Sequence, residues 1–461
     1  MIWIVAYLSS VLGALLTLVA MTIIRNDTRH NVGRLGWMGL ILLTPPIGLL
    51  LFLWLGGRKI SAEHASRRLV DLPKDDEEVP DHGDGFESLL QSRGLRPPTI
   101  GNEFEILTEV HKVYDAYLDM IDQAQEAIYV MTFIMDERES SEEIVERLCR
   151  KARDGVQVRL LCDGFGSFQM SDDQLEAIRE AGGKARRFKP LSKLSRLAYL
   201  NYRNHRKLMV VDGKMAILGG ANLVQEEIAE DPPKDAWVDL SVRIEGPAAA
   251  QLQAVFCSDW NFVTDETLPP SKIETPAEGA DCESSRLTVV PIGPDGPEEI
   301  LEDFWQYSIH QAEHRVWICT PYLVPSPSAM RSLELACRRG LDVRLLVPSR
   351  SDLWPVDYAR YDYMKDLIEV GAKLYRYTDG MVHAKVGLVD DEVALVGSAN
   401  FDIRSFFLNY ELSVAVHDRE TIEKLKAWYE NLLEKSECGV IDDSLFRRMM
   451  SVLVRLFASE L

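Results

Sequence analysis

The chain has 461 residues, with 51 Lys and Arg against 72 Asp and Glu, a net charge of −21. That acidity argues against a general nucleic-acid binder, whose surface must be basic to meet phosphates, and 46% hydrophobic with 27% charged residues excludes both a disordered chain and a polytopic transporter. Seven scattered cysteines, an odd number with no C-x-x-C pair, argue against a disulfide framework or a zinc knuckle.

Two charge-free apolar stretches come first, at 1–24 and 35–55. Each reaches about 30 Å or more at ~1.5 Å per residue, enough to span a bilayer. Without a basic n-region or a small-x-small site, the first reads as an anchor rather than a cleaved signal peptide. The pattern predicts a transmembrane helical hairpin over 1–60, with both ends on one side because only ten residues, 25–34, join the two segments. Three flanking basic residues (Arg25, Arg29, Arg34) against four (Arg58, Lys59, Arg67, Arg68) do not fix its orientation. Residues 61–100 read as an acidic linker: 71–87 alone holds eight acids, two Pro and two Gly. From about 101 an α/β body begins, in which strand-like runs (127–134, 156–162, 208–211) alternate with helical patterns.

The body is one pattern written twice, over 101–282 and 283–461. Gln123-Ala124 followed by Ile128, Val130 and Thr132 returns 188 residues later as Gln311-Ala312 followed by Val316, Ile318 and Thr320. His205-x-Lys207-x4-Asp212 returns as His383-x-Lys385-x4-Asp390. Each copy has a Gly 14 residues after its His (Gly219, Gly397) and an Asn 17 after it (Asn222, Asn400). At average composition the His-Lys-Asp spacing should arise by chance about 0.03 times, not twice. Asp239 and Glu411 then occupy equivalent positions in a closing strand.

The spacing has a chemical reading. In an extended chain residues i and i+2 share a face, so His205 and Lys207 point one way, as do His383 and Lys385. An imidazole beside an ammonium is unfavourable unless an anion lies over both. Pseudo-twofold packing of the lobes would merge the two pairs into one phosphate pocket, with Lys207, Lys385, Asn222 and Asn400 as donors. Two histidines facing one phosphorus supply a nucleophile and a proton carrier, the two roles phosphodiester transfer needs. A carboxylate on Nδ1 would hold the nucleophile's tautomer, and Asp239 and Glu411 are the candidates. Asp212 and Asp390 end apolar strands at a turn; they complete the candidate catalytic set, although a structural salt bridge is their plainer reading.

These residues resemble the phospholipase D superfamily, whose signature is a doubled HxKx4D followed by Gly-x-x-Asn. Asn204-His205-Arg206-Lys207, Gly219-Gly220-x-Asn222, Thr320-Pro321-Tyr322-x-x-Pro325 and Gly397-Ser398-x-Asn400-x-Asp402-x-Arg404-Ser405 are similar to bacterial cardiolipin synthases. The resemblance implies an α/β fold of two homologous α/β/α lobes around a shared site. It adds Gly219, Gly220 and Ser398 to Asn222 and Asn400 as substrate contacts. The implied reaction moves a phosphatidyl group between two phosphatidylglycerol molecules, giving cardiolipin and glycerol through a phosphohistidine, with no metal, cofactor or nucleic acid. The implied location is the bacterial cytoplasmic membrane, with the body on the cytoplasmic side. A hydrolytic phospholipase D, a transferase with another donor or acceptor, and an inactive lipid-binding relative stand as alternatives.

Three weaker signals remain. Lys184 to Lys207 carries nine basic residues and no acid, interleaved with apolar ones, as a loop on an anionic membrane or an ordinary solvated face would. His310 and His314 fall i, i+4 on a predicted helix, a spacing that can hold a metal, with a helix surface the plainer reading. Residues 445–461 form a candidate amphipathic helix, packed on the body or laid on lipid.

Overall fold

The computed structural model describes residues 39–41, 44, 47–48, 85–190, 202–270, 285–294, 299–439 and 444–455. The apolar segment 1–24 lies outside the described residues, as does most of 35–55. Among the described residues no helix is long and apolar enough to cross a membrane.

The first lobe contributes strands β1 (Thr99–Leu107), β2 (Ala127–Thr132), β3 (Gln157–Asp163), β4 (Lys184–Phe188), β5 (Leu208–Val211), β6 (Met215–Gly219) and β7 (Ser241–Glu245). The second contributes β8 (Ser285–Ile292), β9 (Arg315–Cys319), β10 (Asp342–Pro348), β11 (Lys373–Tyr377), β12 (Val386–Val389), β13 (Val393–Gly397), β14 (Glu411–Val416) and a short edge strand, β15 (Ser436–Cys438). They join in one sheet, ordered β15-β11-β10-β9-β12-β13-β14-β8-β1-β7-β6-β5-β2-β3-β4. Apart from β15, the order reads the same outward in both directions from the β8–β1 junction. That junction is antiparallel and pairs Asn102 with Ser285, 183 residues apart, which is also the separation of Leu107, opposite Ser241, from Val290, opposite the equivalent Ser413. Equivalent residues meeting across an antiparallel pair is what a twofold axis requires.

The sequence dictates the layers. Strands β2 and β3 pair in parallel, as do β9 and β10, so they need helical crossovers and are covered on both faces; every residue of β2 is buried. Alternation sorts their side chains. Ile128 and Val130 face outward, to a core shared with helices Val110–Gln123 and Glu139–Arg153, whereas Ala127, Tyr129 and Met131 face inward. The inward faces of both lobes share a central core with helices Pro247–Val263 and Arg419–Glu434. The histidine segments rise at the edge of this shared core, where one lobe can reach the other.

Part of the expected linker is not a linker. Residues Gly85–Ser92 form a helix, and Leu90 and Leu95 are buried in the second lobe's outer core. Arg93 pairs with Asp303 there. The acidic run at 71–84 obscured this short apolar anchor. The helix Ile300–Gln311 ends before His314, so the two histidines do not share a helical face and the metal spacing fails.

Candidate active site

Each HxKx4D segment is extended up to its Lys, then enters β5 or β12, then reaches its Asp at a left-handed turn residue (φ 52° at Asp212, 50° at Asp390). The Asp therefore lies about 16 Å from its Lys along the strand at ~3.3 Å per residue, at the end away from the histidines. Asp212 accepts three backbone N–H donors, from Gln125, Glu126 and Ala127 at 2.9, 2.8 and 2.7 Å. Asp390 repeats the clamp on Glu313, His314 and Arg315 at 2.7, 3.0 and 2.7 Å. The expectation that these two acids join the catalytic set is corrected: they tie the turn to the start of the neighbouring strand. Among the described residues neither makes a salt bridge; backbone amides hold them because a carboxylate at a left-handed turn meets a fan of N–H groups.

The other end of each strand is held across the lobe boundary. His205 N–H donates to Tyr410 O (2.8 Å), Tyr410 N–H to Arg203 O (2.9 Å), His383 N–H to Val238 O (2.7 Å) and Val238 N–H to Met381 O (2.8 Å). The side chains cross in the same way. His205 Nδ1 lies 3.0 Å from Glu411 Oε2, and His383 Nδ1 lies 2.7 Å from Asp239 Oδ2. Each histidine is thus oriented by the other lobe's carboxylate, and neither half is complete alone. Arg206, pointing away from its neighbours by strand alternation, is fully buried. It pairs with Asp259 at 2.7 Å and donates to Glu411 O and Ile292 O at 2.9 and 2.8 Å, locking the lobes.

His205, His383, Asn222 and Asn400 line one cleft of about 440 Å³, walled by Phe133, Trp237 and Tyr322. Phe133 stands edge-on to His205 (4.7 Å between ring centroids), and Trp237 packs on His383 at 4.8 Å. Lys207 and Lys385 are buried, and each ammonium donates to the carbonyl of its own histidine. Asn400 Oδ1 is buried without a hydrogen-bond partner.

Burial drives the electrostatics. It lowers His205 to about 4 against the pull of Glu411, with Lys207 adding to the fall. Burial, then Lys385, lowers His383 to about 3, with Asp239 opposing. Both imidazoles are therefore neutral near pH 7, with Nδ1–H directed at a carboxylate and Nε2 free to act as a nucleophile. Burial also pushes Lys207 down to about 7 and lowers Lys385, so each regains affinity for its proton when an anion enters. Glu411 is buried, which works to raise it, but His205, Lys207 and Ser398 hold it below the usual carboxylate range.

Gly219, Gly220 and Ser398, expected as substrate contacts, stand behind the carboxylates instead. A Cβ on Gly219 would meet Leu240 O at 2.5 Å, and one on Gly220 would meet Asp239 Oδ1 at 2.2 Å. The Ser398 hydroxyl donates to Glu411 Oε2 at 2.6 Å. Sequence reasoning missed Glu227, whose carboxylate accepts from Asn222 N at 2.7 Å and from its side-chain amide at 3.0 and 3.1 Å. It also missed the cleft residues Arg203, Trp237 and Asp352. Among the described residues one group has metal-compatible spacing: Glu227, Asp239 and His383, with ligand atoms within 4.8 Å of one another. Those atoms are already engaged by Asn222, by Leu240 N and by each other, and Lys385 supplies the positive charge beside them; we assign no metal there.

The family described as cardiolipin synthase, PLD-like domain, matches this chain twice, at 117–260 and 307–433. The chain belongs to that family. A cardiolipin synthase from Alkalihalophilus pseudofirmus is 30% identical over 96% of this chain and 91% of its own length. Cardiolipin synthase 2 of Bacillus anthracis is 33% identical over 77% of this chain and 70% of its own. Phosphatidylserine synthase from Haemophilus influenzae shares the fold, with a TM-score of 0.61 and 16% identity over 82% of this chain and 100% of that one. As a member of the cardiolipin synthase family, the chain is an enzyme of the phospholipase D type.

Proposed function

We propose that this chain makes cardiolipin by phosphatidyl transfer between two phosphatidylglycerol molecules. The observation that carries the reading is the crossed pair of neutral histidines in one cleft, each held by a carboxylate of the opposite lobe. One histidine attacks phosphorus through Nε2, forming an N–P bond. The P–O bond to the leaving glycerol breaks, and the other histidine, which takes up a proton at Nε2 when the phosphate anion enters beside it, supplies the proton that glycerol takes away. That second histidine then removes the proton from a hydroxyl of the next phosphatidylglycerol, whose oxygen displaces the first histidine. Lys207, Lys385, Asn222 and Asn400 would meet the phosphate charge. Lipid bound against the aromatic walls at Phe133, Trp237 and Tyr322 would displace water from the cleft, which favours an alcohol over water as acceptor.

Membrane residence is part of the same proposal. The 1–60 hairpin would anchor the body beside its substrates, with lobes at 101–282 and 283–461. Exposed apolar side chains sit on both sides of the cleft: Phe165 and Phe168 on one lobe, Leu353 and Trp354 on the other. Ring contacts run from Trp354 through Tyr358 to Phe446, on a helix Leu445–Arg455 that leaves Phe446, Met449 and Val452 exposed. Such a rim suits a bilayer surface, from which acyl chains could remain in lipid while head groups enter the cleft.

The test is to incubate purified full-length protein with phosphatidylglycerol alone and follow lipids by mass spectrometry with free glycerol assayed in parallel. Cardiolipin with equimolar glycerol, absent with His205→Ala or His383→Ala, is the expected result. Phosphatidic acid with glycerol would mean hydrolysis, and substantial turnover by either variant would overturn the two-histidine scheme.

A further inference from the structure

Arg360, on the helix Trp354–Glu369, is buried outside the cleft at 2% exposure. One nitrogen of its guanidinium, Nη2, lies 2.6 Å from Asp357 Oδ1 and donates to Ser349 O at 3.2 Å. Its Nε and Nη1 are buried with no hydrogen-bond partner among the described residues, and so are Arg376 Nε, on β11, and Ser451 Oγ. Buried donors are normally satisfied, so these four call for an acceptor.

Three elements bring the groups together. The helix Leu445–Arg455 lies across the helix Trp354–Glu369. Phe446 stands edge-on to Tyr358 with 6.4 Å between ring centroids, and the Arg447 guanidinium lies over the Tyr361 ring at 5.8 Å. Arg447 and Ser451 are one turn apart and share a face, and Ser451 is fully buried against the body. The opposite face leaves Leu445, Phe446, Met449 and Val452 exposed. From the sheet side comes Arg376, which pairs with Glu437 at 2.8 Å; that acid is 62% exposed, so solvent screens the pair. Burial lowers the Arg360 guanidinium to about 10; Asp357 opposes, and Arg447 and Arg376 add to the fall. Guanidiniums that crowd one another out of water are stabilised when an anion enters between them.

We propose that Arg360, Arg376, Arg447 and Ser451 form a site for a phosphate group, separate from the catalytic cleft, that pins the C-terminal helix to the body. Phosphate matches the donor set, because its oxygens can meet several guanidinium N–H groups at once. The surroundings favour the head group of an anionic phospholipid as its source. The outer face of the same helix is apolar, so acyl chains can lie along it with the phosphate turned under its edge. The site also reaches the cleft wall. The Arg360–Asp357 pair holds Ser349 O and the Ser351 N–H, and the next two residues, Asp352 and Leu353, line the cleft.

The experiment follows hydrogen–deuterium exchange of residues 445–455 in the full-length protein, in neutral detergent at fixed ionic strength. The probes are inorganic phosphate, dihexanoyl phosphatidylglycerol and, as a phosphate-free control, dihexanoylglycerol. A saturating phosphate probe should slow exchange of this helix roughly tenfold or more, since an anion held by both helices must leave before the outer one opens. In a variant combining Arg376→Gln with Arg447→Gln, both half-buried and outside the cleft, the slowing should shrink to less than about twofold. Slowing by the lipid where phosphate has no effect assigns the site to a lipid head group, and equal slowing by both assigns it to free phosphate; either result supports the site. No slowing by either phosphate probe in the wild type overturns the proposal, as does equal slowing by dihexanoylglycerol or an undiminished effect in the variant. The wild-type titration does not depend on a variant folding, and no readout depends on turnover, so the functional reading can fail while this one is decided on its own.

Discussion

Replacing Asp212 by Asn separates a structural aspartate from a catalytic one. The left-handed backbone at Asp212 (φ 52°) suits Asn nearly as well as Asp, so the substitution isolates the loss of charge and of one acceptor oxygen. Asn can keep the two bonds that Oδ1 accepts from Glu126 and Ala127, but its amide would then face the Gln125 N–H, which now donates to Oδ2. Losing one charge-assisted bond and placing two donors together should cost about 2 kcal/mol. For Ala, which forfeits all three bonds and tolerates the backbone less well, about 4 kcal/mol is expected. At ~2–4 °C per kcal/mol, Asp212→Asn should lower the melting temperature by roughly 4–8 °C. Asp390→Asn should behave alike, because its carboxylate makes the same three bonds in the other lobe. The assay is thermal unfolding of the full-length protein in detergent, paired with cardiolipin formation measured well below the transition. Turnover within about twofold of wild type is expected there, since the carboxylate stands ~16 Å from the lysine. An Asn variant that melts like wild type but loses activity a hundredfold or more would refute the structural assignment.

Three further outcomes follow from the site. Gly220→Ser introduces a Cβ that would lie 2.2 Å from Asp239 Oδ1, so it should displace that carboxylate from His383 and reduce kcat about a hundredfold or more, whereas Ser398→Gly, which removes one of several donors to Glu411, should cost only about tenfold or less; equal losses would contradict the asymmetry. Acidification should destabilise the body. His205 and His383, lowered in the fold to about 4 and about 3, contribute stability above their unfolded pKa near ~6.5 that is lost as pH falls from there, while Glu227, raised to about 7, and Asp402, raised to about 6, contribute in the opposite sense between ~7 and ~4 and offset part of that loss. Denaturation midpoints that hold constant from pH ~6.5 to ~4 would rule this out. Finally, Trp354→Ser combined with Phe446→Ser, both exposed, should lower turnover several-fold on vesicles yet leave it unchanged on a water-soluble short-chain phosphatidylglycerol; equal loss on both substrates would remove the membrane role of the rim.

What could be read in the sequence was whatever chain-local geometry controls. The doubled His-Lys-Asp spacing placed β5 and β12, and equal offsets to Asn222 and Asn400 marked the loops beside them. The equivalence of Asp239 and Glu411 located both histidine partners, because strand positions survive duplication. What was not legible depends on which lobe a side chain reaches. Nothing local says that His205 would be met by Glu411 and His383 by Asp239 rather than each by its own lobe's acid; that follows from the antiparallel β8–β1 junction, which swings each histidine segment over its neighbour. The signature aspartates misled for a related reason, since sharing a motif with a histidine does not put a residue at the same end of the strand.

Glu227 was hidden differently. Its signal was present, because the repeat that aligns Asn222 with Asn400 also aligns Glu227 with Ser405. A comparison that looks for sameness passes over such a pair. In a duplicated site the positions that match define the shared chemistry, and both histidines here are equally equipped to attack phosphorus. Among the described side chains that hydrogen-bond to the two cleft asparagines, Glu227 is the one that carries a carboxyl group, so the duplication kept the catalytic groups and let a buried titratable neighbour differ.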